Sequence, residues 1–282
     1  MTTEADVALR NGALLRWYHQ EQRLLPWRSD PDPYVTLVSE AMLQQTQVER
    51  VIPKFEEFME RWPSVDSLAR SNPSDLLATW SGLGYNTRAL RLREAAMVVA
   101  ESGWPTSVEG LLKLPGVGPY TASAIAAIAF GDRVAAVDTN LRRVISRWEG
   151  VPLTGRDLAH VADTLVTDPA GDWNQALMDL GATLCRPRNP QCAECPVSTW
   201  CTDPDVYEPP PRQSSFEGSV RQLRGALVKA NLAGEDLMQA GRSLGRSKKE
   251  TESTISALTA EGLLPASSAS RRSENDARTT AS

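Results

Sequence analysis

Apolar residues recur three and four positions apart along most of the chain, and no stretch alternates apolar with polar as a half-buried strand would. This spacing predicts helices over 5–20, 34–45, 47–61, 73–80, 86–101, 118–130, 139–148, 156–167 and 172–184. Proline-bearing corners separate them at Pro31/Pro33, Pro63, Pro73, Pro105, Pro152 and Pro169. Three more helices, over 219–232, 234–241 and 248–260, follow a proline- and serine-rich stretch, 204–218, that reads as a linker. The expected fold class is all-α, with no repeat of fixed period. Residues 219–265 make a small helical, winged-helix-like module, and 266–282, where alanine is the largest apolar residue, predict a disordered tail.

One run breaks the regular pattern: LPGVGPYTASAIAAIAFGDRVAAVDTN, Leu114 to Asn140. A helical fragment at Val108 to Lys113 precedes it, and Pro119 stands at the first position of the next helix, where its missing N–H costs nothing. The unit is a helix–hairpin–helix. Gly116, Val117 and Gly118 let the backbone turn sharply and leave N–H groups at a helix start, an arrangement suited to a phosphate. An ordinary interhelical turn has the same letters. Asp138 follows just before another helix, where capping alone would also account for it.

Charge changes the picture locally. Residues 1–213 carry 20 Lys and Arg against 27 Asp and Glu, and 214–282 carry 10 against 8, so the body is acidic. Between Gly82 and Arg147 the balance reverses to 8 basic against 5 acidic residues, with clusters at Arg88/Arg91/Arg93 and Arg142/Arg143/Arg147. A positive stretch around the hairpin permits contact with nucleic acid on an otherwise acidic protein. The first residues are acidic without a long apolar run, and no stretch is long enough to span a membrane, so a cytoplasmic protein is expected.

Three further features carry chemistry. In YVTLVSEAMLQQTQVERV, Glu40 shares a helix face with Leu37 and Leu43, and a carboxyl desolvated there has the raised pKa that a general acid needs. Gln44, Gln45 and Gln47 beside it can hydrogen-bond base edges. In WSGLGYNTRALRLR a tight turn carries Leu83 and Tyr85 next to three arginines; the pair either wedges into a base stack or seals the turn. Finally, Cys185, Cys192, Cys195 and Cys201 have the spacing C-x6-C-x2-C-x5-C. Zinc ribbons use two paired C-x2-C knuckles, whereas one C-x2-C flanked by single cysteines is the pattern of iron–sulfur loops.

Taken together, LPGVGPYTASAIA…VDTN, the cysteine loop and SEAMLQQTQV resemble the helix–hairpin–helix DNA glycosylases with a 4Fe–4S cluster. Within these, SEAMLQQTQV, GLGY and WNQALMDLGA are similar to the MutY-type adenine DNA glycosylases, which remove adenine mispaired with 8-oxoguanine. The resemblance covers residues 8 to 203. It implies that Glu40 protonates a flipped adenine and that Asp138 stabilises the sugar cation. Arg28 and Gln175 would face the base, and Tyr120 and Asn140 would organise the pocket. Gln45, Leu83 and Tyr85 would fill the stack beside 8-oxoguanine. It also implies a six-helix barrel over 28–135 and a cluster domain from 1–27 with 136–203. The partner would be double-stranded DNA bearing A·8-oxoguanine or A·G, bound by a monomer. Tyr120 stands where the lyase branch has its lysine nucleophile, so a monofunctional glycosylase using water is expected. The larger Nudix-like C-terminal domain of many relatives is missing or replaced, and Asn86 stands where many have a second tyrosine. A thymine glycosylase of the same superfamily and a non-catalytic DNA-binding cluster protein are the competing expectations.

Overall fold

The structure is a computed structural model that describes residues 3–206, 209 and 214–265. Among these the regular elements are helical, and no strand occurs. The helices are α1 (Glu4–Glu21), α2 (Pro33–Leu43), α3 (Val48–Arg61), α4 (Val65–Ala69), α5 (Pro73–Trp80), α6 (Thr87–Ser102), α7 (Val108–Leu111), α8 (Pro119–Ala129), α9 (Thr139–Glu149), α10 (Gly155–Leu165), α11 (Ala170–Thr183), α12 (Val220–Leu232), α13 (Leu237–Ser243) and α14 (Lys248–Ala260). None is long and apolar enough to cross a membrane. The expected tail over 266–282 lies outside the described residues, as does part of the expected linker.

Contacts divide the chain into two compact units, Met1–Arg70 with Arg91–Pro211, and Ser71–Leu90 with Arg212–Ser282. In the first, α9 presents Leu141, Val144, Ile145 and Trp148 at helical spacing to a core shared with Leu14 and Tyr18 of α1, Leu158 and Ala162 of α10, and Trp173, Leu177 and Leu180 of α11. Helix α2, buried from Tyr34 to Met42, packs on α8. Asp32 starts α2 by accepting the Tyr34 and Val35 N–H groups at 2.7 and 3.3 Å. In the second unit α12 packs on α5, α13 and α14.

Several helix ends differ from the periodicity for identifiable reasons. Helix α2 stops at Leu43, not at residue 45, because Gln44 leaves the helical region at ψ 109° and Gln45 takes a left-handed φ of 56°. Helix α13 begins at Leu237 rather than 234, where Asp236 caps the Met238 and Gln239 N–H groups. The short α4 was not foreseen; a Ser64–Ser67 capping box starts it.

Candidate active site

A cleft of about 660 Å³ opens in the first unit, lined by residues from α2, α8, α9, α11 and the 3₁₀ turn at Pro26–Arg28. Its walls include Leu43, Ile128, Val137 and Met178, and its polar groups converge from distant parts of the chain. That combination is typical of a pocket built for an organic ligand.

Glu40, on the penultimate turn of α2, is 7% exposed. Burial pushes its carboxyl up to about 7, against an opposing hydrogen bond from the Tyr120 hydroxyl; the charge of Asp138 raises it further and that of Arg28 lowers it. Tyr120, in the first turn of α8, also touches the Met178 sulfur at 3.8 Å. Burial holds its phenol well above the ordinary value, so it is a neutral donor.

Asp138 is the N-cap of α9. One carboxylate oxygen accepts the Leu141 N–H at 2.7 Å and the other the Asn140 amide at 2.9 Å. Burial raises its pKa, while these donors and the Arg143 charge favour the ionised form. The segment leading to it is pinned by Asn174, which is fully buried. Its oxygen accepts the Ala136 N–H at 2.7 Å, and its amide donates to the carbonyls of Val134 and Ala170 at 3.0 and 2.8 Å.

Beside the Pro26–Arg28 turn, both terminal nitrogens of Arg28 bind Asp179, at 2.6 and 2.8 Å, and the Arg23 Nε binds the same carboxylate at 2.6 Å. Burial acts to raise the Asp179 pKa, but the Arg28 hydrogen bond and the two guanidinium charges outweigh it and hold the carboxyl below its ordinary value. Gln175 accepts the Tyr18 hydroxyl on its Oε1 at 3.0 Å, which leaves its amide as the donor end.

The hairpin keeps less backbone uncovered than its sequence implies. The Val117 N–H closes a turn on the Leu114 carbonyl at 3.1 Å, so it is not available to a phosphate. Gly118 is the N-cap of α8 and brings no side chain to the cap, and the first helical bond runs from Ala122 to its carbonyl at 2.9 Å. The early N–H groups of that turn have no helical partner by geometry. Gly116 has φ +77°, and a Cβ there would stand 2.7 Å from the Arg91 Cβ.

In the second unit the glycine turn separates the two expected wedge residues. Leu83 is 4% exposed and seals the turn, whereas Tyr85 is 40% exposed with φ 46°.

The four cysteines line a second, smaller cavity of about 100 Å³ together with Arg147 and Trp148. All four potential ligands at this cavity are thiols, a donor set that suits an iron–sulfur cluster. Burial pushes the Cys195 and Cys201 thiols up to about 11. Arg147 donates to the Cys185 sulfur at 3.2 Å and to the Arg186 carbonyl at 2.9 Å. Arg143 joins this loop to the cleft: it donates to the Cys185 and Gly181 carbonyls at 2.8 and 2.7 Å and to the Asn140 side-chain oxygen at 2.8 Å.

Comparison with known proteins gives this geometry a family. Residues 38–160 match the HhH-GPD superfamily of base excision DNA repair proteins, and 185–201 match the iron–sulfur binding domain of endonuclease III. An adenine DNA glycosylase of Mycobacterium tuberculosis (strain ATCC 25618 / H37Rv) is 41% identical over 238 residues, 79% of this chain and 78% of the relative. The chain belongs to the adenine DNA glycosylase family. The Homo sapiens adenine DNA glycosylase is 45% identical over 217 residues, which are 70% of this chain and 40% of the human protein. Among solved structures, a thermostable thymine-DNA glycosylase superposes with a TM-score of 0.66 at 32% identity, covering 72% of this chain and 98% of that one. An endonuclease III–DNA complex at 19% identity shares the fold with a TM-score of 0.61. The all-α helix–hairpin–helix class is therefore established, and the cofactor is a 4Fe–4S cluster, in accord with the matched loop.

For a member of this family, the cleft unites more than the motifs announced. Arg28, Glu40, Gln45, Tyr120, Asp138, Asn140 and Gln175 all line it. Leu83 and Tyr85 belong to the other compact unit. Asp179, Tyr18 and Asn174 were missed, and Arg143 and Arg147, read in the sequence as part of an exposed basic cluster, are instead buried and bonded within the protein. For Asp179 the sequence signal was weaker than for Glu40, since the residues three before and after it are only the alanines Ala176 and Ala182. His19 is an exposed partner of Asp172 at 2.9 Å.

Proposed function

We propose that this protein is a monofunctional DNA glycosylase that releases adenine from duplex DNA in which adenine stands opposite 8-oxoguanine or guanine. The observation that carries this reading is the convergence of Glu40, Asp138 and a neutral Tyr120 on one cleft. A base within a duplex must leave the stack before such groups reach it. Glu40, half-protonated near neutrality, gives its proton to the adenine ring and unloads charge from the leaving base. Asp138, with its charge supported by the Leu141 N–H, the Asn140 amide and the α9 N-terminus, faces the cationic sugar that remains. Two carboxyls in unlike environments divide the work of glycoside hydrolysis in the same way. Tyr120 has no amine with which to form a Schiff base, so water completes the reaction.

Arg28, oriented by Asp179, and Gln175, oriented by Tyr18, contact the flipped base, and of the two turn residues the exposed Tyr85, not the buried Leu83, is the one able to stack on a DNA base. Gly116 and Gly118 take a phosphate at the start of α8. Cys185, Cys192, Cys195 and Cys201 would hold the cluster, which supplies a cross-link for their loop. A second reading, thymine release from a mismatch, is favoured by the likeness to the thymine-DNA glycosylase structure.

A panel of mismatched duplexes separates the two by the base released. Glu40→Gln and Asp138→Asn should each slow adenine release at least about 100-fold while duplex binding persists. Release at the wild-type rate by either variant refutes the mechanism. The purified protein should be brown with iron and sulfide in equal amounts, and colourless, fully active protein would remove the cluster from the account.

A further inference from the structure

Helix α1 turns Arg10, Leu14 and Tyr18, four residues apart, into the core of the first unit, at 0, 0 and 3% exposure. Leu14 and Tyr18 are what such a stripe requires; the first member is a guanidinium. That group keeps its proton inside proteins, so a full positive charge is enclosed here. The neighbouring Asn11, also buried, donates to the Leu165 carbonyl at 2.8 Å and accepts the Trp173 indole N–H at 3.1 Å. Among the described residues, none of the three nitrogens of Arg10 has a hydrogen-bond partner. Arg28 shows how this chain settles another poorly exposed cation, with the Asp179 carboxylate.

Arg10 is directed instead at the end of α9 that borders the cysteine loop. Its guanidinium carbon stands 4.1 Å from the centre of the Trp148 ring, and Trp148 lines the cavity of the four cysteines. The Trp148 carbonyl accepts the Thr202 hydroxyl at 2.6 Å, and the Arg147 carbonyl accepts the Cys201 thiol at 3.6 Å. The last cysteine is thereby strapped to the two residues of α9 nearest Arg10. Burial lowers the Arg10 pKa, and the charges of Glu149 and of Cys201 act to raise it. Glu149, the last residue of α9, is itself only partly buried. Stacking on an indole offsets only part of the cost of enclosing an unpaired charge. The remainder calls for an anion on the cysteine side.

We propose that Arg10 is the buried counter-charge of the iron–sulfur cluster and holds that cluster against oxidation. The inference rests on the reading that Cys185, Cys192, Cys195 and Cys201 carry the group. Four thiolates bring more negative charge than the iron–sulfide core offsets, so the whole assembly is an anion in its ordinary oxidation states. Losing an electron makes it less negative. A fixed positive charge nearby, in a medium of low dielectric, favours the more negative state and makes the electron harder to take. Arg147 bonds to the Cys185 sulfur directly, whereas Arg10 acts through its charge. Arg10 is in this sense a positioning residue of the cofactor, contributed by the opposite flank of the chain from the cysteines.

The test follows bleaching of the cluster's visible absorption in the full-length holoprotein by hydrogen peroxide, an uncharged oxidant that surface charge does not steer. Arg10→Met, which keeps the length of the side chain and removes the charge, should bleach about three- to tenfold faster than the wild type. Arg10→Lys, which keeps the charge, should stay within about twofold of it. Glu149→Gln removes the negative charge that acts on Arg10 and should bleach more slowly. A wild-type rate in Arg10→Met overturns the proposal. So does an Arg10→Lys rate as fast as that of Arg10→Met, since the shape of the guanidinium rather than its charge would then matter, and so does faster bleaching in Glu149→Gln. Should Arg10→Met fail to fold, the other two rates decide. Each of these results, in protein with its full iron content, leaves the cluster reading intact, whereas wild-type protein purified without iron overturns both.

Discussion

Replacing Glu40 by glutamine should make the protein more stable, and by an amount that depends on pH in a calculable way. Burial raises the Glu40 pKa from the ordinary 4.5 to about 7. Below pH 4.5 the carboxyl is protonated in both the folded and unfolded chain, and it costs nothing. Between the two values the unfolded chain has lost the proton that the folded chain keeps, so folding stability falls by about 1.36 kcal/mol per pH unit. Over the roughly 2.5 pH units of that window the loss accumulates to ~3 kcal/mol, and above pH 7 it stays constant. Glutamine is neutral throughout and escapes it. The difference in thermal midpoint between Glu40→Gln and the wild type, followed by circular dichroism from pH 4.5 to 8 with the cluster intact, should therefore open from near zero to roughly 6–12 °C. Other titrating groups are common to both proteins and cancel. A difference that is flat with pH, or that narrows as pH rises, would refute the claim that Glu40 sits desolvated in the cleft.

Adenine release should follow the same group: the single-turnover rate should be level below about pH 7 and fall with a slope approaching tenfold per pH unit above it, and a rate that rises through pH 8 would deny Glu40 the role of acid. Asp179→Asn leaves Arg23 and Arg28 facing each other without their shared carboxylate, which should cost about 3–5 kcal/mol in unfolding experiments and weaken substrate affinity as Arg28 loses its anchor. Gly181→Ala places a Cβ 2.6 Å from the Asn140 Cβ and 3.1 Å from its side-chain oxygen. It should slow base release more than tenfold while iron content stays at the wild-type level, as Asn140 is driven off Asp138 and Arg143. Wild-type kinetics in this variant would show that the Asn140 position is not needed for the chemistry.

The groups proposed to act on a substrate were largely legible in the sequence as residues of one cleft, and those that hold them were not. Glu40 could be read because its apolar neighbours lie three residues away on either side, and Asp138 because a cap has a local signature. The partner that fixes Arg28 lies 151 residues away, and nothing near Arg28 encodes it. Asn174 and Arg143 are similar cases: each satisfies backbone carbonyls whose exposure only the folded chain creates. Gln45 was legible as a polar residue beside a carboxyl, but its left-handed backbone, just past the end of α2, has no glycine to announce it. At the hairpin the letters were right and the hydrogen-bonding was not, since the Val117 N–H is consumed by the turn that the glycines make possible.

Helix α9 carries the Asp138 cap at one end and, two turns on, the Arg147 that holds the Cys185 sulfur, with Arg143 between them. An oxidant or an iron shortage that disturbs the sulfur loop therefore acts on the same rod that aims Asp138. Damage at the metal would be felt at the sugar before it was felt as unfolding, leaving a protein that still grips DNA and no longer repairs it.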